Sequence, residues 1–139
     1  GYPDMFLPFS CSFDFTLQLT GIVLLVAGLF LSWWAIVSFG EFNEPRWSRL
    51  KQGHRVVKTG IYHHIRHPQY ASKMLVYLGL FLFFKDFLFI LLFLSSMPLF
   101  LFQSKSEEKL LIQVFGEEYR SYQATSGLFL PLIHSRQMK

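Results

Sequence analysis

The sequence predicts an all-α integral membrane protein. It consists of one long transmembrane helix and a transmembrane helical hairpin, with a cytoplasmic loop module between them and an amphipathic C-terminal helix. Three observations predict it. Of 139 residues, 52% are hydrophobic, only 16% are charged and 17 are Phe, a composition too apolar for a soluble domain of this length. Two stretches, 15–39 and 70–103, are nearly free of charge over lengths that suit a bilayer. The basic residues are also segregated. Residues 1–39 hold no Lys or Arg, only Asp4 and Asp14, whereas Arg46, Arg49, Lys51, Arg55, Lys58 and Arg66 crowd into 40–69. By the positive-inside rule the basic loop and the C-terminal segment are expected to be cytoplasmic, which makes the protein multi-pass.

The first span, 15–39, carries the small residues Gly21, Ala27, Gly28 and Ser32 among Leu, Val, Ile, Phe and Trp. At about 1.5 Å per residue it crosses a hydrocarbon core of about 30 Å with room to tilt. Gly21 and Gly28 share a face and allow a second helix to come close. Trp33 and Trp34 suit the interface at its cytoplasmic end. No basic segment precedes this span and the first residue is Gly, so a cleaved signal peptide is not expected.

The loop module, 40–69, is rich in His and Arg and punctuated by Pro45, Gly53, Gly60 and Pro68. The second apolar stretch, 70–103, is interrupted at Lys73 and at Lys85-Asp86, which reads as the hairpin turn. Its arms are short for a perpendicular span, so Lys85 is expected to snorkel or the bilayer to thin. From 104 onward Leu111, Phe115, Tyr119 and Tyr122 recur at helical spacing opposite Lys109, Gln113 and Glu117. Gly116 is a candidate break, after which Glu117 and Glu118 suit a helix first turn. The apolar LFLPLI, 128–133, is too short to span and should pack back on the protein or the headgroups. The chain is read as a single domain, 1–139.

Several function classes fall away. The lone Cys11 cannot form an intrachain disulfide. The aromatics sit in apolar runs, not interleaved with basic residues, so nucleic acid is not an expected partner. No GxGxxG follows a strand pattern, which excludes a dinucleotide-type nucleotide fold. His54, His63, His64 and His67 do not complete a ligand set of standard spacing, so no metal is expected.

Two clusters remain, GHRVVKTGIYHHIRHPQY (53–70) and SEEKLLIQVFGEEY (106–119). The hairpin would bring both to one cytoplasmic face and so build a site at the membrane interface. Arg66 is free to meet a lipid phosphate or a ligand. Glu107 and Glu108 either form a solvated helix face or hold a cation. Tyr62 and Tyr70 either anchor at the interface or stack on a planar ligand.

The order HxxV, GxY, RHPxY, apolar hairpin, EExxL and FGEEYxxY resembles the isoprenylcysteine carboxyl methyltransferases and related membrane phospholipid methyltransferases, over roughly 53–133. The resemblance implies an S-adenosylmethionine-dependent methyltransferase of the bilayer, acting on a lipophilic acceptor, either a prenylated cysteine or a lipid. It further implies that His54, Arg55, Val56 and Val57, Tyr62, then His67, Pro68, Gln69 and Tyr70 wrap the cofactor, and that Glu107 contacts it. Glu107 and Glu108 are the expected catalytic carboxylates, set against the cationic donor. The family's substrate-contacting Arg is replaced here by Gln103, the expected substrate-binding position, with Lys105 nearby. Gln carries no charge for a carboxylate acceptor, so a phospholipid (ethanolamine) N-methyltransferase stands as the second reading. A non-catalytic membrane scaffold is the third. Such relatives carry further spans before the first one here, which implies a shortened core.

Overall fold

The structure is a computed structural model and describes residues 11–39 and 56–132. His54 and Arg55 lie outside the described residues, as does most of the basic loop. The described residues form four α-helices: α1 (Cys11–Phe39), α2 (Pro68–Phe84), α3 (Phe87–Phe115) and α4 (Glu117–Thr125). A 3-10 turn, Gly60–His63, precedes α2. Among the described residues no strand forms, and only Ile65 and Gly127 meet in an isolated parallel bridge.

The helices α1 and α3 are each long and apolar enough to cross a membrane, over Asp14–Phe39 and Phe87–Phe115. Only 11% of the residues in the apolar centre of either helix are buried. A helix that is apolar all round and covered on one side only does not suit water, and lipid is the natural solvent for the rest. Phe15, Leu29, Trp33, Leu91, Leu99 and Phe102 are among the large side chains turned outward.

The helix α2 packs against both α1 and α3. It runs antiparallel to α1 along a seam of small residues. Gly21 faces Gly79 and Phe83, Gly28 faces Ser72 and Val76, and Ala35, one heptad further on, is fully buried. A Cβ at Gly79 would stand 2.8 Å from the Gly21 carbonyl oxygen, and one at Gly21 would stand 2.8 Å from that of Gly79. The close face expected of Gly21 and Gly28 is therefore occupied, and α2 supplies the third glycine.

The turn between α2 and α3 lies at Lys85-Asp86. Lys85 adopts the left-handed conformation (φ 56°) and its N–H donates to the Phe81 carbonyl at 2.7 Å, closing α2. Asp86 Oδ1 then accepts from Leu88 N at 2.9 Å, capping α3. The Lys85 ammonium does not simply snorkel to the interface. It pairs with Asp14 of α1 at 2.8 Å and ties the first turn of α1 to the hairpin tip.

The second arm is longer than a single short span. The helix α3 continues without interruption through Pro98 and the polar residues after Phe102 to Phe115, 29 residues in all. Pro98 removes one backbone donor, a loss that membrane helices accommodate. Gly116 (φ 57°) breaks the helix and α4 restarts with Glu117 and Glu118 in its first turn. Tyr119 and Tyr122 turn inward while Gln113 and Glu117 stay exposed.

Candidate functional site

The polar residues gather at the end of the fold where α1 finishes, α2 begins and the second half of α3 rises past both. The approach to α2 is built first. Gly60 (φ 58°) turns the chain against Ser38, whose hydroxyl accepts from Ile61 N at 3.2 Å, while Thr59 Oγ1 donates to the Ser38 carbonyl at 3.2 Å. Ile61, Tyr62 and Ile65 then bury against Ala35, with Val57 and Phe39 packed around them.

The C-terminal segment straps this loop in place. Arg66 N donates to the Gly127 carbonyl at 2.8 Å, His67 N to Leu128 at 3.1 Å, and Gly127 N returns to His64 at 3.0 Å. Tyr122 hydroxyl donates to the Tyr62 carbonyl at 2.5 Å. Of the apolar segment after α4, Phe129 packs back on the protein, its ring edge-on to His67 (6.5 Å) and Tyr70 (6.4 Å), whereas Leu130 and Leu132 stay exposed.

Arg66 turns inward to protein partners. Its Nε donates to Glu108 Oε1 at 2.6 Å, and its Nη1 donates to the carbonyls of Gln123 (3.1 Å) and Ser126. Glu108 is correspondingly occupied. Its Oε1 also faces His67 Nε2 at 3.1 Å and the Tyr119 hydroxyl at 3.5 Å, and its Oε2 accepts from Gln123 Nε2 at 2.9 Å. A carboxylate only accepts, so the His67 hydrogen in that bond sits on Nε2. The pair is largely covered, with side-chain exposures of 12% for Arg66 and 10% for Glu108. Burial of this kind is tolerable only because every charge meets its counter-charge or a hydrogen-bond partner.

Glu107, the adjacent residue, has another setting. Its Oε1 accepts from the Tyr70 hydroxyl at 2.7 Å, and its Oε2 stands 3.6 Å from His67 Nδ1. Its side chain keeps 23% of its surface open. Successive helical residues point about 100° apart. The EE pair thus splits into one carboxylate buried under the C-terminal strap and one facing the His67–Tyr70 wall.

The other sequence candidates are placed as follows. Pro68 is fully buried at the first position of α2, where its missing N–H costs nothing. Gln69 turns to α1, where its Oε1 accepts from Ser32 Oγ at 3.2 Å. Tyr62 is buried against Phe39, with ring centroids 5.2 Å apart. Val56 and Val57 are half-buried just before the 3-10 turn, and Gln103 is exposed on α3. The structure brings His67, Tyr70, Glu107 and Glu108 together, while the Tyr62 ring packs on Phe39, Gln69 turns to Ser32 of α1 and Gln103 is exposed. His63 and His64 are exposed, with rings edge to edge at 4.9 Å, and stand apart from buried His67. Sequence reasoning missed Gln123, Ser126 and Phe129. No local pattern marks the first two, and Phe129 is visible in sequence only as part of a greasy tail.

Residues 17–118 match the phospholipid methyltransferase family. The chain belongs to that family. Within it, the chain is similar to a protein-S-isoprenylcysteine O-methyltransferase of Schizosaccharomyces pombe, at 32% identity over 120 residues, 84% of this chain and 50% of that protein. The chain therefore spans half the length of the curated relative it matches. No solved structure matches the chain. The match begins within α1 and closes just past Gly116, so α2, α3, most of α1 and the His67–Tyr70–Glu107–Glu108 cluster fall inside it.

Proposed function

We propose that this member of the phospholipid methyltransferase family is an S-adenosylmethionine-dependent methyltransferase acting on a lipophilic acceptor at the membrane interface. The observation that carries the reading is the Tyr70–Glu107–His67 arrangement. It is a carboxylate held at 2.7 Å by a tyrosine hydroxyl, partly open, at the polar end of helices whose sides are lipid-like in character. An anionic group presented beside aromatic rings suits a sulfonium cation. When bound, S-adenosylmethionine would supply the electrophilic methyl group.

The chain's own residues would bind, orient and exclude water. Glu107 would balance the donor's positive charge, and Tyr70 would fix the carboxylate. His67 and Pro68, buried behind them, would form the rigid floor, with Gln69 holding that floor to α1; on the family resemblance His54, Arg55, Val56, Val57 and Tyr62 would also contact the donor. Glu108 would act through His67 and Arg66, as a positioning residue whose two oxygens are already engaged. Displacement at a methyl group needs little from a protein beyond proximity, alignment and a dry site. An acceptor would enter from the bilayer alongside α2 and α3. The basic 40–69 loop would place this end of the molecule on the cytoplasmic side of a multi-pass protein.

Exposed, uncharged Gln103 favours a second reading of the acceptor, an ethanolamine phospholipid whose amine is methylated. Calorimetry of the purified chain with S-adenosylmethionine tests the first step, and no heat at millimolar concentration would leave a non-catalytic scaffold. Labelled-methyl transfer to farnesylcysteine analogues and to ethanolamine lipids then separates the two acceptors.

A further inference from the structure

Most of the positive charges in the described part of the fold are already engaged. Lys58 pairs with Glu118 at 3.9 Å, Arg66 with Glu108 at 2.6 Å, Lys85 with Asp14 at 2.8 Å and Arg120 with Glu117 at 2.9 Å. Among the described residues Lys73, Lys105 and Lys109 have no carboxylate within ion-pair distance, and of these three only Lys73 touches the aromatic wall. Its Nζ stands 5.7 Å from the centroid of Tyr70 and 5.8 Å from that of Phe100. Those rings are stacked, 4.9 Å apart and 19° from parallel, one from each arm of the hairpin. An aromatic seat holds an ammonium in place without neutralising it. The same tyrosine donates its hydroxyl to Glu107 at 2.7 Å, so one side chain links the seated cation to the carboxylate. Lys73 is exposed, and Gln103, one turn beyond Phe100 on α3, offers no charge of its own.

We propose that Lys73 is a specificity-determining residue that recognises an anionic group on the acceptor, a carboxylate or a phosphodiester, beside the Tyr70–Phe100 stack that joins α2 and α3. The proposal rests on the methyltransferase reading for the word acceptor, and on geometry alone for the anion. An ammonium in a partly apolar setting gains most from a counter-charge that arrives with its own apolar tail, because both are then shielded from water. A Lys that only snorkels to the headgroups would not discriminate among molecules in the site.

The test uses the full chain in non-ionic detergent, which removes competing lipid phosphate. Three amphiphiles of equal tail length are titrated: one ending in a carboxylate, one in a phosphodiester with an amine, and one in an amine alone. Binding is read by calorimetry and, where transfer occurs, acceptor KM is read separately from kcat. Lys73→Met is expected to weaken the preferred anionic amphiphile about tenfold, with the amine-only amphiphile and S-adenosylmethionine affinity unchanged. Lys73→Arg is expected to restore it. Loss confined to the carboxylate arm names a carboxylate acceptor, and loss confined to the phosphodiester arm names a lipid headgroup. Equal affinities for wild type and Lys73→Met, or an equal loss for the amine-only amphiphile, would overturn the inference. If S-adenosylmethionine does not bind but anion affinity still depends on Lys73, the methyltransferase reading fails and the anion site stands.

Discussion

Arg66 Nε meets Glu108 Oε1 at 2.6 Å, joining the loop before α2 to a position 42 residues later on α3. Glu108 is buried and Arg66 largely so, and the same arginine holds two carbonyls of the C-terminal segment. Removing one partner leaves the other as an uncompensated buried charge, which typically costs about 3–5 kcal/mol. Glu108→Ala and Arg66→Ala are each expected to lower thermal stability in detergent by that order. The double variant Arg66→Met, Glu108→Leu should cost clearly less than the sum. Simple additivity of the two single effects would show that the pair is not coupled.

Tyr70→Phe keeps the ring that stacks on Phe100 and removes only the hydroxyl that holds Glu107. One hydrogen bond of this kind is worth about 0.5–1.5 kcal/mol. On the proposed function, S-adenosylmethionine affinity should fall about threefold to tenfold in Tyr70→Phe, and further in Glu107→Ala. Calorimetry decides. An unaltered affinity in Glu107→Ala would make that carboxylate an ordinary partly solvated helix residue.

Gly79→Leu forces a side chain into the α1–α2 seam, where even a Cβ would stand 2.8 Å from the Gly21 carbonyl and 2.9 Å from Leu25. Backbone atoms cannot yield as a flexible side chain does, and overpacking of this sort costs typically about 1–3 kcal/mol. A disulfide between cysteines engineered across α1 and α2 reports the separation directly. It should form readily in the parent and poorly with Gly79→Leu. Equal yields would mean that the two helices slide apart at little cost.

Gly60→Ala carries two penalties, since φ is 58° there and the added Cβ would overlap Ser38 Oγ. The left-handed conformation alone costs a non-glycine residue about 1–2 kcal/mol. Adding Ser38→Ala should recover the steric part of the lost melting temperature and leave the conformational part. Full recovery would show that the backbone relaxes out of the left-handed region.

Features governed by neighbouring residues were legible in the sequence. The turn at Lys85-Asp86 and the break at Gly116 follow from local charge and glycine chemistry, and the small face of α1 follows from the heptad spacing of Gly21 and Gly28. The apolar length of α1 identified a bilayer-compatible helix because hydropathy is summed along the chain, whereas the second hairpin arm, expected to be short, runs on to Phe115. The family motifs pointed to His67, Tyr70, Glu107 and Glu108, which the fold assembles from two helices.

What the sequence by itself determined, then, is the helical membrane-type architecture and four of the side chains that meet at its polar end, His67, Tyr70, Glu107 and Glu108. The tertiary structure alone decided how those residues divide. Glu107 and Glu108 are indistinguishable as letters, but one helical step rotates them by about 100°, and the strap formed by α4 and Gly127 covers only one of them. Likewise Arg66 is committed to Glu108 and Lys73 remains seated over Tyr70 and Phe100 because of which helices pack side by side. Pairings across 37 or 42 residues depend on helix rotation and on where the C-terminal segment lands, and neither is written in any local run of the chain.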